Sequence, residues 1–191
     1  MRTIILVRHS LPEIDPDESP DQWGLTAEGR ARCIPLARRL AEHRPLVVVT
    51  SRELKAAQTG ELVAGQLGIP CLAADGLHEH CRLGGVWLDA GEFRARIETF
   101  FARPDQLVFG LETAQQALDR FSAALGTVMA DRPEAVVTVI SHGTVMALYY
   151  GAITGQNPFD FWGHLGIPGF YTVLWPDLVV NSQTLKIATL E

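Results

Sequence analysis

Three short runs, TIILV at 3–7, LVVVT at 46–50 and AVVTVI at 135–140, are rich in β-branched residues and carry no helical stripe. Each reads as a strand buried on both faces, a pattern that belongs to parallel sheets covered by helices on either side. Between the first two lies LTAEGRARCIPLARRLAEHRP, where Thr26 is placed to cap a helix whose Ala31, Ile34, Ala37, Leu40 and Ala41 recur at helical spacing. Pro35 lacks the donor for the residue 31 carbonyl and is expected to kink that helix. A second helical pattern, Leu54, Ala57, Leu62, Ala64 and Leu67, stops at Gly68, and an extended stretch follows at 70–74. Further helices are expected at 91–103, at 111–130 and from Gly143 to near Gly155. Two late strands, FYTVLW at 170–175 and LKIATL at 185–190, flank a turn at 176–182. The alternation implies an α/β fold: a three-layer α/β/α sandwich with a mostly parallel sheet and an antiparallel edge, a single domain over residues 1–191.

Composition narrows the function. A chain of 191 residues suits one domain with a sizeable core, and 47% hydrophobic against 20% charged residues fits a globular protein. The formal net charge of -6 favours neither a nucleic-acid backbone nor an anionic membrane surface, which leaves a small molecule as the default partner. The longest apolar runs are too short to span a bilayer, and MRTIILVRHS reaches polar residues too early for a secretory signal. Cys33, Cys71 and Cys81 are odd in number and lack metal-finger spacing, so a reducing cytoplasm is the expected compartment.

In sheets of this kind ligands sit outside the carboxyl ends of the strands, at a topological switch point. Arg8 and His9 close the first strand there. VVTVISHGTVMALYY repeats the arrangement: a buried strand ends at Ser141, and His142 and Gly143 turn into a helix. Two histidines remote in sequence are thereby expected at one sheet edge. Gly143 permits a close backbone approach, and the helix N-terminus offers amides to an anion.

With these residues in place, the chain resembles the histidine phosphatase superfamily, the phosphoglycerate mutase-like family. LVRHS is similar to its signature and VISHGT to its second histidine motif. LTAEGRARC is similar to its LTxxGxxQA segment, TSRELKAAQTGELVA to SSxxxRAxQTA, GLHEHCR to LxE and GLETAQQALDRF to the GES helix. The resemblance implies the phosphoglycerate mutase-like fold and a phosphomonoesterase working without metal or other cofactor. His9 would be the nucleophile, forming a phosphohistidine that water hydrolyses. Arg8 would hold phosphoryl oxygens with its fork of donors, and neighbouring cations would help keep His9 neutral. His142 would stabilise charge on the equatorial oxygens, and Ser10 and Gly143, beside the two histidines, would also bind phosphate. Glu79 would protonate the leaving oxygen and then activate water, and a bound phosphate dianion would raise its pKa toward that role.

The chain departs from the family at one position. Lys55 stands where the pattern has a second phosphate-binding arginine, which keeps the charge and gives up the bidentate fork. The intact register to Gln58 and Thr59 favours Lys55, and Arg52, three residues earlier, is the alternative. The stretch between Glu79 and His142 is shorter than in the resembling mutases, so hydrolysis is expected rather than phosphotransfer. A non-catalytic phosphate sensor would keep the pocket without turnover, and the retained Glu79 argues against it.

Other features bear on specificity. A small phosphorylated molecule and a phosphoprotein present the same phosphoryl group, and loops around 10–25, 80–92 and 104–112 would choose between substrates. Glu13, Asp15, Asp17 and Glu18 would repel a highly anionic one, and Arg82 and Arg103 would attract it. HEHC at 78–81 sets His78 and His80 on one face beside Cys81 but lacks the i, i+4 pair of a zinc hydrolase helix, and no metal is expected. His80 and Arg82 are instead expected at the pocket mouth beside Glu79. Arg30, Arg32, Arg38, Arg39 and Arg44 read as a solvated face, and Trp23, Trp87 and Trp162 as packing or cavity-shaping residues. At Glu112 and Thr113 a capping role competes with a role at the site. Tyr149, Tyr150, Phe159, Phe161 and Trp162 are apolar enough for a homodimer contact, and burial in one core explains them equally well.

Overall fold

The computed structural model describes residues 1–82 and 88–187. Strands β1 (Arg2–Arg8), β2 (Val47–Thr50), β3 (Cys71–Ala73) and β4 (Val136–Ser141) run parallel. Strand β5 (Gly169–Trp175) pairs antiparallel with β1, and β6 (Val179–Thr184) pairs antiparallel with β5, giving the spatial order β3-β2-β4-β1-β5-β6. The helices are α1 (Ala27–Ala41), α2 (Leu54–Leu67), α3 (Ala90–Ala102), α4 (Ala114–Asp131), α5 (Gly143–Thr154) and α6 (Pro158–His164).

Alternation along the strands feeds two cores. Ile5, Val7, Val48 and Ile140 pack on one face with residues of α1 and α2, among them Leu36, Leu40, Ala56 and Val63. Ile4, Leu6, Val49 and Val139 pack on the other with Phe100, Phe121, Val145 and Phe161 from α3 to α6. Ile4 to Val7 have no exposed surface, so each contributes about 1.5–3 kcal/mol by burial. The three-layer sandwich follows. The chain leaves β1 toward β2 through α1 on one face and leaves β4 toward β5 through α5 and α6 on the other. A crevice therefore opens beyond the carboxyl ends of β1 and β4.

Caps set the helix ends where the sequence suggests them. Thr26 Oγ1 accepts the Gly29 N–H at 2.9 Å, and Gly68 and Gly155 end α2 and α5 in the left-handed region, at φ 66° and 72°. Thr113 and Gln116 form a capping box, which starts α4 at Ala114 rather than at 111.

Several expectations are corrected. Helix α1 runs unbroken through Pro35, which is buried, and its inward face carries Cys33, Leu36, Ala37 and Leu40 while Ala31, Ile34 and Ala41 are exposed. In α2 the buried stripe is Lys55, Ala56, Thr59, Gly60, Val63 and Ala64, one position around from the leucines, and Leu54 is exposed. Among the described residues the last strand is Val179–Thr184, ahead of the strand expected at 185–190. A tight turn with Leu178 at φ 56°, its N–H bonded to the Leu174 carbonyl at 2.8 Å, returns the chain at once, and the polar Asn181 and Gln183 suit an edge strand. Residues 185–187 are outside any strand, and 188–190 lie outside the described residues. Helix α6 is an element beyond those expected, and Asn157 followed by Pro158 is its helix-start signature. Tyr149, Tyr150 and Phe161 are 3–7% exposed members of the core, and Phe159 and Trp162 pack against it, so these five do not form an open dimer patch.

Candidate active site

The sheet edge brings Arg8, His9 and His142 together as the sequence suggests. The His9 N–H donates to the Ser141 carbonyl at 2.9 Å, which locks the end of β1 to the end of β4. His9 Nδ1 lies 2.7 Å from the Ser10 carbonyl. A carbonyl only accepts, so Nδ1 carries the proton in the neutral ring and Nε2 keeps its lone pair. Burial, then His142, Lys55 and Arg8, hold the His9 pKa well below the usual imidazole range. The ring is a neutral base with one nitrogen fixed as donor. His142 lies with its ring centroid 5.2 Å from that of His9, is fully buried, and has no hydrogen-bond partner among the described residues at either ring nitrogen.

Arg8 donates from Nη1 to the Leu165 carbonyl at 2.7 Å, and burial lowers its pKa to about 10, which leaves it cationic at neutral pH. Its packing explains Gly143: a β-carbon there would stand 2.8 Å from the Arg8 guanidinium carbon. The group that approaches this glycine closely is thus Arg8. Ser10 is also a support, its Oγ donating to the Gly29 carbonyl at 2.7 Å and its N–H to Thr59 Oγ1 at 3.0 Å. Neither Ser10 nor Gly143 lines the cavity.

Glu79 sits on the α5 N-terminus. Oε2 accepts the Thr144 N–H at 3.1 Å, Oε1 accepts the Val145 N–H at 3.3 Å and the His80 N–H at 2.8 Å, and Arg82 Nη2 lies 3.4 Å from Oε2. The anion that the helix end attracts is, in this state, the protein's own carboxylate. Burial alone would raise its pKa, but Arg82, His142 and the His80 and Thr144 amides together hold it far below the usual carboxylate range.

The loop that carries Glu79 is held from α4. Arg120 donates to the carbonyls of Gly76, His78 and Glu79 at 2.8, 2.9 and 3.2 Å and is bound by Glu112 at 2.6 Å. Glu112 also accepts the Cys81 N–H at 2.9 Å. Glu112 therefore braces the site while Thr113 caps the helix. The rings of the HEHC segment serve the same loop. His78 Nδ1 meets the Glu79 carbonyl at 2.9 Å, and His80 packs 4.2 Å from Phe100 with Nε2 at the Glu112 carbonyl.

Lys55 is 5% exposed and lines the cavity, whereas the Arg52 side chain is 65% exposed and pairs with Asp75 at the rim, 2.5 Å away. Sequence reasoning missed Glu53. Its Oε2 lies 2.5 Å from Lys55 Nζ, and its Oε1 accepts the Glu79 N–H at 2.7 Å and lies 3.6 Å from His142 Nε2. It stands at the N-cap position of α2 but its side chain makes no capping bond, turning instead to Lys55 and Glu79 in the middle of the site, a placement that spacing alone does not signal.

Arg8, His9, Glu53, Lys55 and Glu79 line a cavity of about 520 Å³, within the usual size of a small-molecule site, and His142 is buried behind them rather than in its lining. Arg103 and the carboxylates Glu13, Asp15, Asp17 and Glu18 do not line it; Trp23, Arg82 and Trp162 do, and Trp87 lies outside the described residues.

The model of the histidine phosphatase superfamily (branch 1) matches residues 4–173. No curated protein matches the chain by sequence. Among solved structures, a mycobacterial glucosyl-3-phosphoglycerate phosphatase superposes with a TM-score of 0.76 at 17% identity, covering 100% of both chains. YhfR of Bacillus stearothermophilus gives 0.72 at 20% identity over 94% of this chain and 95% of its own. A phosphoserine phosphatase from Entamoeba histolytica, in complex with 3-phosphoglyceric acid, gives 0.72 at 18% identity over 96% and 97%.

Proposed function

The chain belongs to the histidine phosphatase superfamily, branch 1, and from that premise we propose that it hydrolyses a phosphomonoester through a phosphohistidine on His9. The observation that carries the proposal is the fixed tautomer of His9: Nδ1 is committed to the Ser10 carbonyl, so Nε2 is the atom available for attack on phosphorus. The test is turnover of an aryl phosphate, with chelator present, by the wild type and by His9→Ala. Chelator-resistant turnover lost in the variant is expected, and turnover that survives it would overturn the reading.

In the proposed reaction His9 Nε2 attacks phosphorus in line, the P–O bond to the leaving group breaks, and Glu79 delivers a proton to the departing oxygen. Arg8, Lys55 and His142 hold the three equatorial oxygens, where positioning and positive charge do most of the catalysis. A phosphate dianion beside His142 and Glu79 raises both pKa values, the reverse of the resting state, making His142 a donor and Glu79 an acid. In the second step Glu79, now ionised, takes a proton from water, whose oxygen attacks the phosphohistidine and returns His9. Ser10 and Gly143 act through His9 and Arg8 rather than by touching phosphate.

The substrate in this reading is a phosphorylated small molecule, with a phosphoprotein as the broader possibility. Hydrolysis is the activity named for the glucosyl-3-phosphoglycerate and phosphoserine phosphatases that share the fold. No helix among the described residues is long and apolar enough to cross a membrane. Three free cysteines support the proposed reducing, cytoplasmic setting.

A further inference from the structure

Resting on the phosphatase reading, we propose that the leaving group of the substrate is aromatic or branched apolar and carries no carboxylate. Glu79 marks where the leaving oxygen departs. Arg82, in contact with Glu79, lays its guanidinium over the Phe93 ring at 4.7 Å, and Phe93 meets Trp162 at a centroid distance of 6.1 Å. An aromatic wall therefore begins one side chain beyond the leaving oxygen. Trp23 lines the same cavity with its ring centroid 5.9 Å from Lys55 Nζ and its indole N–H bonded to the Asp15 carbonyl at 2.9 Å, and Ile14, also in the lining, is 57% exposed.

The charges point the same way. Beyond Arg8 and Lys55, the arginines and lysines lining the cavity among the described residues are Arg52 and Arg82. Arg52 is paired with Asp75 and Arg82 with Glu79. The lining also carries the carboxylates Asp21 and Glu53. When Glu79 is protonated as the acid, Arg82 stays held by Thr144 Oγ1 at 3.0 Å and over the Phe93 ring. A leaving group with its own carboxylate would therefore have to displace these contacts or the Arg52–Asp75 pair, or meet Asp21 and Glu53, whereas a ring or branched alkyl group covers apolar wall that is otherwise wet.

The experiment compares kcat/KM for 2-(1-naphthyl)ethyl phosphate, glycerol 3-phosphate and 3-phosphoglycerate, all primary alkyl esters of comparable leaving-group basicity, with His9→Ala as the blank. The expected result is a preference of at least about tenfold for the naphthyl ester over both others, equivalent to ~1.4 kcal/mol. Trp162→Ala should shrink that ratio about tenfold, and Ile14→Asn, at an exposed position that does not test folding, about threefold. His9-dependent hydrolysis with equal rates, or faster on 3-phosphoglycerate, would overturn the substrate class and leave the phosphatase reading standing. No His9-dependent hydrolysis of any of the three would overturn both.

Discussion

Glu53 and Lys55 form an ion pair of 2.5 Å within the active-site cavity, their side chains 11% and 6% exposed. The same carboxylate accepts the Glu79 N–H and lies 3.6 Å from His142 Nε2, so in the resting protein Glu53 holds Lys55 and sits beside His142, two of the groups that the proposed mechanism assigns to phosphate. Phosphate and Glu53 compete for one positive site. Glu53→Gln is therefore expected to tighten competitive inhibition by inorganic phosphate about tenfold, the scale of one removed like charge near a surface pocket. Unchanged or weaker inhibition would mean that Glu53 serves to position Lys55.

Lys55 itself carries a second prediction. Loss of one fixed cation facing the transferring group costs about 10²-fold in rate, so Lys55→Ala is expected to lower kcat/KM by that factor. Arg52→Ala, which removes an exposed side chain paired at the rim, is expected to change it less than about threefold. The reverse ranking, read from steady-state kinetics on one substrate, would assign the phosphate to Arg52.

Glu79 is predicted to matter in proportion to leaving-group basicity. Glu79→Gln should slow an alkyl phosphate about 10²–10³-fold and a nitrophenyl phosphate far less, because a good leaving group departs without a proton. Equal losses on both esters would contradict the role of acid.

Buried histidines make the fold sensitive to acid. His80 is 2% exposed, and burial lowers its pKa to about 4 from an ordinary 6.5. His9 and His142 are lowered too, by burial first. The unfolded chain binds these protons at a higher pH than the folded one, so the stability contributed by keeping the rings neutral is complete above about pH 6.5 and is lost as pH falls toward the folded pKa values. For His80 alone the loss between pH 6.5 and 4 approaches ~3 kcal/mol. Urea midpoints measured down this range should fall, and more gently in His80→Gln; parallel slopes would contradict the assignment.

Much of this was legible in the sequence because it depends on local pattern. Ile4–Val7 and Val137–Ile140 are buried on both faces, and a polar dipeptide at the end of such a strand has few places to go except the sheet edge. What was not legible depends on contacts between distant segments. The leucines of α2 advertise one stripe, yet the helix buries its neighbour, because Gly60 packs where a β-carbon would stand 2.1 Å from a Thr50 methyl. That rotation is also what turns Lys55 inward. Glu53, at the same helix start, acquires its role only from Glu79 and His142, which arrive from elsewhere in the chain. Arg120 likewise looks like a surface arginine of α4 until the loop at 76–79 folds onto it.

The most direct test of the central claim is to quench the enzyme during turnover into alkali, digest it, and locate phosphoryl groups by mass spectrometry. The account predicts an alkali-stable, acid-labile phosphoryl group on His9, absent in His9→Ala and longer-lived in Glu79→Gln when a nitrophenyl ester supplies it. Steady turnover with no phosphoryl group on His9, or with one on another residue, would contradict it.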